Sequence, residues 1–99
     1  MIHVIALITA KPGCRAALLE EFRKIIPEVH AERGCIEYGP AVDAEGSRDR
    51  FGDDTFVVVE KWESPEALQA HSVAPHMKAY GERAKDLVAS VAVHTLNPA

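Results

Sequence analysis

The stretch FVVVEKWESPEALQAHSVAPHMKAY, residues 56–80, decides the fold because it joins a strand to a helix start. Alternate residues of a strand point to the same face. One face of this strand would carry Phe56, Val58, Glu60 and Trp62. Ser64-Pro65-Glu66 predicts the helix, because serine caps an N-terminus, proline fits the first helical position and glutamate favours the positive end of the dipole. A helix returning over that face would bring His71 and His76 towards Glu60 and Trp62, so we expect a pocket there.

Hydrophobic patterning along the chain predicts four strands. They are expected at residues 2–10, 35–43, 55–62 and 90–96. The second strand should be interrupted near Gly39-Pro40, where the local sequence favours a break. Residues 43–54, DAEGSRDRFGDD, are polar and contain glycine. They predict a surface loop that forms either a hairpin excursion or a lid over the pocket.

Apolar residues at helical spacing predict two helical regions. The first runs from about Cys14 to Arg33, and its charged residues are expected to face water. Those residues are Arg15, Glu21, Lys24, Glu28 and Glu32. The second region begins at Ser64, extends to about Ser72 and starts again at Pro75, which suits the first turn of a helix.

The element order β-α-β-β-α-β predicts one α+β domain over residues 1–99. Right-handed crossovers would build a ferredoxin-like, four-stranded antiparallel sheet with both helices on one face. The opposite face would also be apolar, since Val57 and Val59 alternate with Phe56 and Val58. Soluble monomers rarely expose such a surface. We therefore expect a homodimer in which two sheets pack face to face.

Composition narrows the classes of partner and location. The net charge of −4 comes with no basic stripe, which argues against nucleic acid as a partner. The apolar runs are too short for membrane insertion, and the start of the chain lacks a positively charged leader. The two cysteines, Cys14 and Cys35, have neither metal-type nor redox-type spacing. Free thiols in a reducing cytoplasm are the simplest interpretation.

Glu60 and the two histidines are the residues best suited to proton transfer. Either His71 or His76 can act as a general base near neutral pH. Glu60 either has a functional role, as a proton acceptor or as a group that orients a histidine, or serves as a structural partner of an arginine or histidine. Trp62 is either a wall of the substrate pocket or plain core. A metal site is not expected, because a spacing of five with Pro75 between the histidines would not place them on one helical face.

Three segments together resemble the antibiotic biosynthesis monooxygenase superfamily, and within it the small quinol monooxygenase branch. They are RGCIEYGPAVD (residues 33–43), FVVVEKWESPEALQAH (56–71) and APHMKAY (74–80). The resemblance implies a dimeric α/β barrel and a cofactor-independent oxidation of a quinol or small dihydroxy-aromatic by molecular oxygen, without metal or flavin.

The resemblance also implies which residues form the site. Glu60, Trp62, His71 and His76 match the E-x-W…H…PHM pattern of the family, and Tyr38 matches the tyrosine after its G-C signature. The catalytic set is then His71, His76 and Glu60. The substrate-binding set is Trp62, Tyr38, Tyr80 and Phe56, where Tyr80 lies one turn beyond His76 and Phe56 shares the strand face.

Two other functions stay open at this point. A branch of the superfamily isomerises a phosphorylated hydroxy-ketone and shares the H…PH arrangement, although its phosphate would need a basic pocket. A non-enzymatic dimer that binds a small molecule is the other alternative. Haem-degrading members resemble the chain in fold, but their pocket requires an asparagine on the first strand, and residues 2–10 contain none.

Overall fold

The computed structural model describes residues 1–99 as four strands and three helices. In chain order they are β1 (Ile2–Ala10), α1 (Arg15–His30), β2 (Cys35–Ala41), β3 (Thr55–Trp62), α2 (Pro65–Ser72), α3 (Pro75–Ala84) and β4 (Val88–Leu96). The strands form one sheet in the order β2-β3-β1-β4, and every neighbouring pair is antiparallel. The predicted ferredoxin-like α+β fold is confirmed, with the second helical region divided into two helices.

The strand register separates a helix-covered face from an open one. Val4 on β1 lies opposite Glu60 on β3 and opposite Thr95 on β4. The register on the other side of β3 pairs Glu60 with Tyr38 of β2. These four side chains therefore share one face of the sheet, because residues directly opposite in neighbouring strands point the same way.

Helix α1 packs its apolar stripe against the covered face. Its buried residues are Leu18, Leu19, Phe22, Ile25 and Val29. The Phe22 ring lies 5.4 Å from the ring of Phe56 and 5.5 Å from the ring of Tyr38, measured between centroids. Aromatic side chains bury about 150–250 Å² each, so this cluster is a main source of hydrophobic stabilisation. It fixes α1 over β2 and β3.

Several details of the elements differ from the sequence prediction, including the end of β2 at Ala41 instead of residue 43. Strand β2 continues through Gly39 and Pro40 without interruption. It is an edge strand, where the missing N–H of a proline can face away from the neighbouring strand. Helix α1 ends earlier than predicted, at His30, and strand β4 begins earlier, at Val88. No helix is long and apolar enough to cross a membrane.

Gly34 allows two turns of the chain to touch. Its φ of 86° is in the left-handed region, which favours glycine. A Cβ at this position would lie 2.6 Å from the Cβ of Ala67 and 2.9 Å from the Cγ of Glu63. The Gly34 carbonyl also accepts a hydrogen bond from the Glu63 backbone N–H at 2.9 Å. The turn after α1 is thereby held against the start of α2.

The start of α2 follows the sequence prediction closely. Ser64 is the N-cap, and its Oγ accepts a hydrogen bond from the Ala67 backbone N–H at 3.1 Å. Pro65 occupies the first turn, and Glu66 is the acidic residue there. These features fix where α2 begins and hence which of its residues faces the sheet.

Replacing Gly34 with alanine should destabilise the protein by about 2–4 kcal/mol, because left-handed strain and steric overlap with Ala67 both act against folding. Chemical denaturation monitored by circular dichroism measures this change. Gly46→Ala is a matched control, since Gly46 also has a left-handed φ, of 81°, but no neighbour within 4 Å of an added Cβ. It should cost about 1 kcal/mol. Equal losses in the two variants would contradict the close contact at Gly34.

Candidate active site

A cavity of about 560 Å³ lies between the covered face of the sheet and the helices α2 and α3. Of its 18 lining residues, 13 are hydrophobic. The exceptions are Glu60, His71, Ser72, Gly81 and Lys85. Such a volume and lining are typical of sites for small organic ligands. The cavity is therefore the candidate active site, and its few polar groups are the candidates for chemistry.

His71 is held in one orientation by neighbours on two strands and in the turn after α1. It lies on α2 and is only 6% exposed. The centroid of its ring lies 4.6 Å from that of Trp62 and 5.3 Å from that of Tyr38. Its Nδ1 is hydrogen-bonded to the Oε2 of Glu32 at 2.9 Å. A ring fixed in this way presents its remaining nitrogen, Nε2, in a defined direction.

Glu32 joins the two candidate histidines. The same oxygen that bonds to His71 is also hydrogen-bonded to the Nε2 of His76, at 2.7 Å. The side chain of Glu32 is only 13% exposed. The sequence analysis placed Glu32 in water and the two histidines on different sides, and both expectations are wrong. Residues 73 and 74 separate α2 from α3, so the second helix can point His76 back towards Glu32.

Potential metal-ligating atoms of these three residues lie within 4.8 Å of one another. Three ligands of these types would match the protein ligands of a catalytic zinc site. Here, however, the Glu32 oxygen bonds directly to one nitrogen of each histidine. We therefore describe Glu32, His71 and His76 as a hydrogen-bonded cluster and assign no metal to it.

Glu60 is the second carboxylate at the cavity. It is 7% exposed, and its Oε1 accepts a hydrogen bond from the indole Nε1–H of Trp62 at 2.9 Å. Burial raises the pKa of Glu60, while the Trp62 hydrogen bond and the nearby His71 oppose that rise. Glu60 makes no hydrogen bond to either histidine, so the expectation that it orients one is wrong, and Glu32 holds that position instead.

Two tyrosines contribute polar edges to a mostly apolar cavity wall. Tyr38 and Tyr80 both line the cavity. Burial is the largest cause that raises the pKa of each phenol, and the negative charge of Glu60 adds to the effect at Tyr38. Both hydroxyls therefore keep their protons at neutral pH. They can donate hydrogen bonds to an oxygen of a bound molecule.

The structure separates the seven predicted site residues into two groups. The cavity wall contains four of them: Glu60, His71, Tyr38 and Tyr80. The others, Trp62, Phe56 and His76, lie behind the wall and do not line it. Trp62 and Phe56 are fully buried. Trp62 is therefore not a wall of the pocket as expected, but supports Glu60 and the His71 ring from behind.

The sequence analysis also missed residues that matter at the site. Glu32 carried a usable signal, because a carboxylate just beyond the C-terminal end of a helix is unfavourable unless something compensates for it. Val91 and Val93 of β4 line the cavity although they are 54% and 60% exposed. Their strand was predicted, but nothing in its sequence distinguished a cavity wall from ordinary sheet.

The loop after β2 is held in place by hydrogen bonds within itself and by hydrogen bonds from the start of α1. The carboxylate of Asp43 accepts hydrogen bonds from the backbone N–H groups of Phe51 and Gly52, at 3.0 and 2.9 Å. Arg15 donates hydrogen bonds to the carbonyls of Gly52 and Thr55. None of residues 43–54 lines the cavity. The alternative in which this loop forms a lid is therefore wrong for this structure, and Arg15 does not simply face water.

Fold and site together define a class of protein: a small ferredoxin-like domain with an apolar cavity and one histidine in its wall. The family model described as "Antibiotic biosynthesis monooxygenase" matches residues 1–83. The chain belongs to this family, and the predicted membership is confirmed. The chain is similar to "Probable quinol monooxygenase YgiN" of Escherichia coli (strain K12), with 42% identity over 102 aligned positions that cover 99% of this chain and 98% of the relative.

Solved structures agree with this assignment. PA3566 from Pseudomonas aeruginosa superimposes with a TM-score of 0.83 at 28% identity, over 99% of this chain and 93% of that chain. Rv0793 from Mycobacterium tuberculosis gives a TM-score of 0.82 at 30% identity, over 99% and 94% of the two chains. The similarity therefore extends along nearly the whole chain.

The raised pKa of Glu60 makes the stability of the protein depend on pH. Between the pKa of an unfolded glutamate, about 4.3, and the higher folded value, the folded state binds more protons than the unfolded state. Stability is therefore lost as the pH rises through this window. Glu60→Gln should remove that loss, because a neutral amide does not titrate and its oxygen can still accept from Trp62.

Urea denaturation at several pH values measures this effect. Glu37→Gln, which removes one exposed carboxylate from β2, controls for the change in net charge. If wild type and Glu60→Gln kept a constant stability difference from pH 4 to pH 8, the raised pKa of Glu60 would be contradicted.

Proposed function

We propose that the protein is a cofactor-independent monooxygenase that oxidises a quinol or a small dihydroxy-aromatic with molecular oxygen. The observation that carries this proposal is a single histidine, His71, in the wall of an apolar cavity of about 560 Å³. The name of the 42% identical relative, a quinol monooxygenase, supports the substrate class. The family to which the chain belongs supports the reaction type.

The reaction needs few groups from the protein. His71 takes a phenolic proton, and the electron-rich anion passes an electron to oxygen, after which the oxygen and ring radicals combine. One oxygen atom forms a bond to a ring carbon whose C–H bond breaks, and this oxygen becomes a hydroxyl group, while the other leaves as water. The product is a hydroxyquinone, so the diol itself supplies the electrons. An apolar wall keeps water from the anion before it reacts.

The tyrosine hydroxyls and Glu60 would orient the substrate. Tyr38 and Tyr80 remain protonated and can donate to the second phenolic oxygen of a quinol. Glu60, with its raised pKa, can hold a proton near that oxygen. The 13 hydrophobic lining residues favour an aromatic ring over a sugar.

The isomerase alternative has less support from the cavity. A phosphorylated substrate needs several positive groups, because phosphate carries close to two negative charges near neutral pH. Lys85 is the only lysine or arginine in the cavity wall. Its Nζ is hydrogen-bonded to Glu82 at 3.1 Å. An isomerase would in addition turn over its substrate without oxygen.

We also propose a cytoplasmic homodimer that forms through the open faces of two sheets. Ile5 and Leu7 of β1 and Val57 and Val59 of β3 lie on that face, and each is partly exposed. Contiguous apolar surface of this kind favours association. The free thiols of Cys14 and Cys35 suit a reducing compartment.

The activity proposal predicts that the protein consumes oxygen when a quinol is added. His71→Ala should lower kcat/KM by about 10²–10⁴-fold, the usual contribution of a general base. An oxygen electrode with a panel of quinols and catechols measures both quantities. Gln69→Ala, an exposed truncation in the same helix, should keep wild-type activity. Ligand binding without oxygen uptake across the panel would favour the non-enzymatic alternative.

The dimer proposal predicts that Val59→Glu yields a monomer, because it places a charge within the paired sheets, where an unpaired charge costs several kcal/mol. Analytical ultracentrifugation measures the oligomeric state. Val73→Glu introduces the same charge at a position that is 67% exposed, between α2 and α3, and should leave assembly unchanged. A monomeric wild type, or a dimeric Val59→Glu, would refute this interface.

A further inference from the structure

We infer that Glu32 is the positioning residue that makes His71, and not His76, the base of the site. This inference rests on the proposed function and deepens it, since either histidine could otherwise take the substrate proton. Glu32 is not part of the cavity wall, so it is not placed to contact a molecule bound in the cavity. Its effect passes through His71, to which it is hydrogen-bonded.

The first step is the hydrogen bonding of one oxygen. Oε2 of Glu32 lies 2.9 Å from Nδ1 of His71 and 2.7 Å from Nε2 of His76. An ionised carboxylate can only accept hydrogen bonds, so both nitrogens donate to it. The proton of neutral His71 is therefore on Nδ1. This leaves Nε2 of His71 with a free lone pair.

The second step is the location of that lone pair. Nε2 of His71 has no hydrogen-bond partner in the protein. Every fully buried side-chain nitrogen or oxygen does have a partner, so Nε2 cannot be fully buried. Nε2 therefore remains accessible although the residue is only 6% exposed. Because His71 lines the cavity, a bound phenol can reach this nitrogen. Proton transfer forms a bond from Nε2 to the proton and breaks the phenolic O–H bond.

The third step is the difference between the two histidines. His76 does not line the cavity, and its bonded nitrogen points to Glu32. Its other nitrogen, Nδ1, lies 3.6 Å from Oε2 of the mostly exposed Glu28. Both of its nitrogens thus face carboxylates rather than substrate. His76 acts as a second donor that holds Glu32 in place.

The surroundings of His71 favour a positive charge on it after proton transfer. Glu32 approaches from the end of α1 and Glu60 from β3. The rings of Trp62 and Tyr38 pack against the imidazole. No lysine or arginine makes a hydrogen bond or salt bridge to Glu32 or Glu60. The basic partners of Glu32 are the two histidines, and Glu60 accepts its side-chain hydrogen bond from the Trp62 indole. The charged imidazole is stabilised by the carboxylate at its back, as in hydrolase triads.

The geometry also explains why a carboxylate is tolerated at this position. Glu32 lies two residues beyond the end of α1, where the helix dipole disfavours a negative charge. Hydrogen bonds to charged groups are stronger than those between neutral groups, so two histidine donors offset this cost. Its backbone is fixed as well, because its N–H donates to Val29 and its carbonyl accepts from Cys35.

The first test reads the proton on His71 directly and needs no substrate. Long-range nitrogen–proton NMR on selectively ¹⁵N-histidine-labelled protein, at a pH where the ring is neutral, should place the His71 proton on Nδ1. Glu32→Gln should give a mixture of tautomers or the opposite one, because an amide can present either an oxygen or an N–H. Glu28→Gln removes the same charge beside His76 only and should leave the His71 signals unchanged.

The second test uses oxygen uptake with the quinol found active for the wild type. Glu32→Gln should lower kcat by about 10²-fold or more with little change in KM, because substrate contacts are untouched. Glu32→Asp should recover part of kcat. His76→Gln, which keeps an N–H donor for Glu32, should lose less than about tenfold.

These outcomes separate the inference from the proposed function. No turnover of any quinol by the wild type would refute the function, while the NMR result would still decide the position of the proton. A wild-type His71 with its proton on Nε2, or a kcat unchanged in Glu32→Gln, would overturn the role of Glu32. A loss of activity in His76→Gln as large as in His71→Ala would overturn the choice of base.

Discussion

The contact between two turns is the constraint on which the site depends. Gly34 allows the turn after α1 to lie against the first turn of α2, closer than any side chain would permit. This contact brings Glu32 beside His71, although the two residues are 39 positions apart. The close approach of the two backbones thus makes the hydrogen bond between Glu32 and His71 possible. Phe22 of α1 also stacks on Tyr38 of β2, which helps to hold the end of α1 in this position.

The buried Glu60 and the largely buried Glu32 differ in the hydrogen bonds that they accept. Hydrogen bonds to a charged group contribute about 1.5–3 kcal/mol, whereas burying an ion costs several kcal/mol. Glu60 has one such bond, from Trp62, and its pKa is raised. Glu32 has two, from His71 and His76. The number of hydrogen-bond donors therefore distinguishes the two residues. Glu60, with one donor, is suited to holding a proton, and Glu32, with two, is suited to stabilising a positively charged imidazole.

The sequence predicts the framework because the framework follows local rules. Strand alternation assigned Phe56, Glu60 and Trp62 to one buried face, and the Ser64-Pro65 pair located the start of α2. The site was predicted less well, because it depends on distances that periodicity does not encode. Trp62 shares a strand face with Glu60 but lies behind the cavity wall, and the helical pattern alone assigned Glu32 to solvent. The tertiary contact at Gly34 is what brings Glu32 back to the site.

The hydrogen bond between Glu60 and the indole has a practical consequence. Trp62 is the only tryptophan in the chain, so all indole fluorescence originates next to the cavity. Its N–H contacts the carboxylate, and its ring lies 4.6 Å from that of His71. A change of charge on either neighbour alters the electric field at the excited indole. The fluorescence emission of Trp62 should therefore change when a molecule binds in the cavity or when Glu60 or His71 changes its charge. No added label is needed.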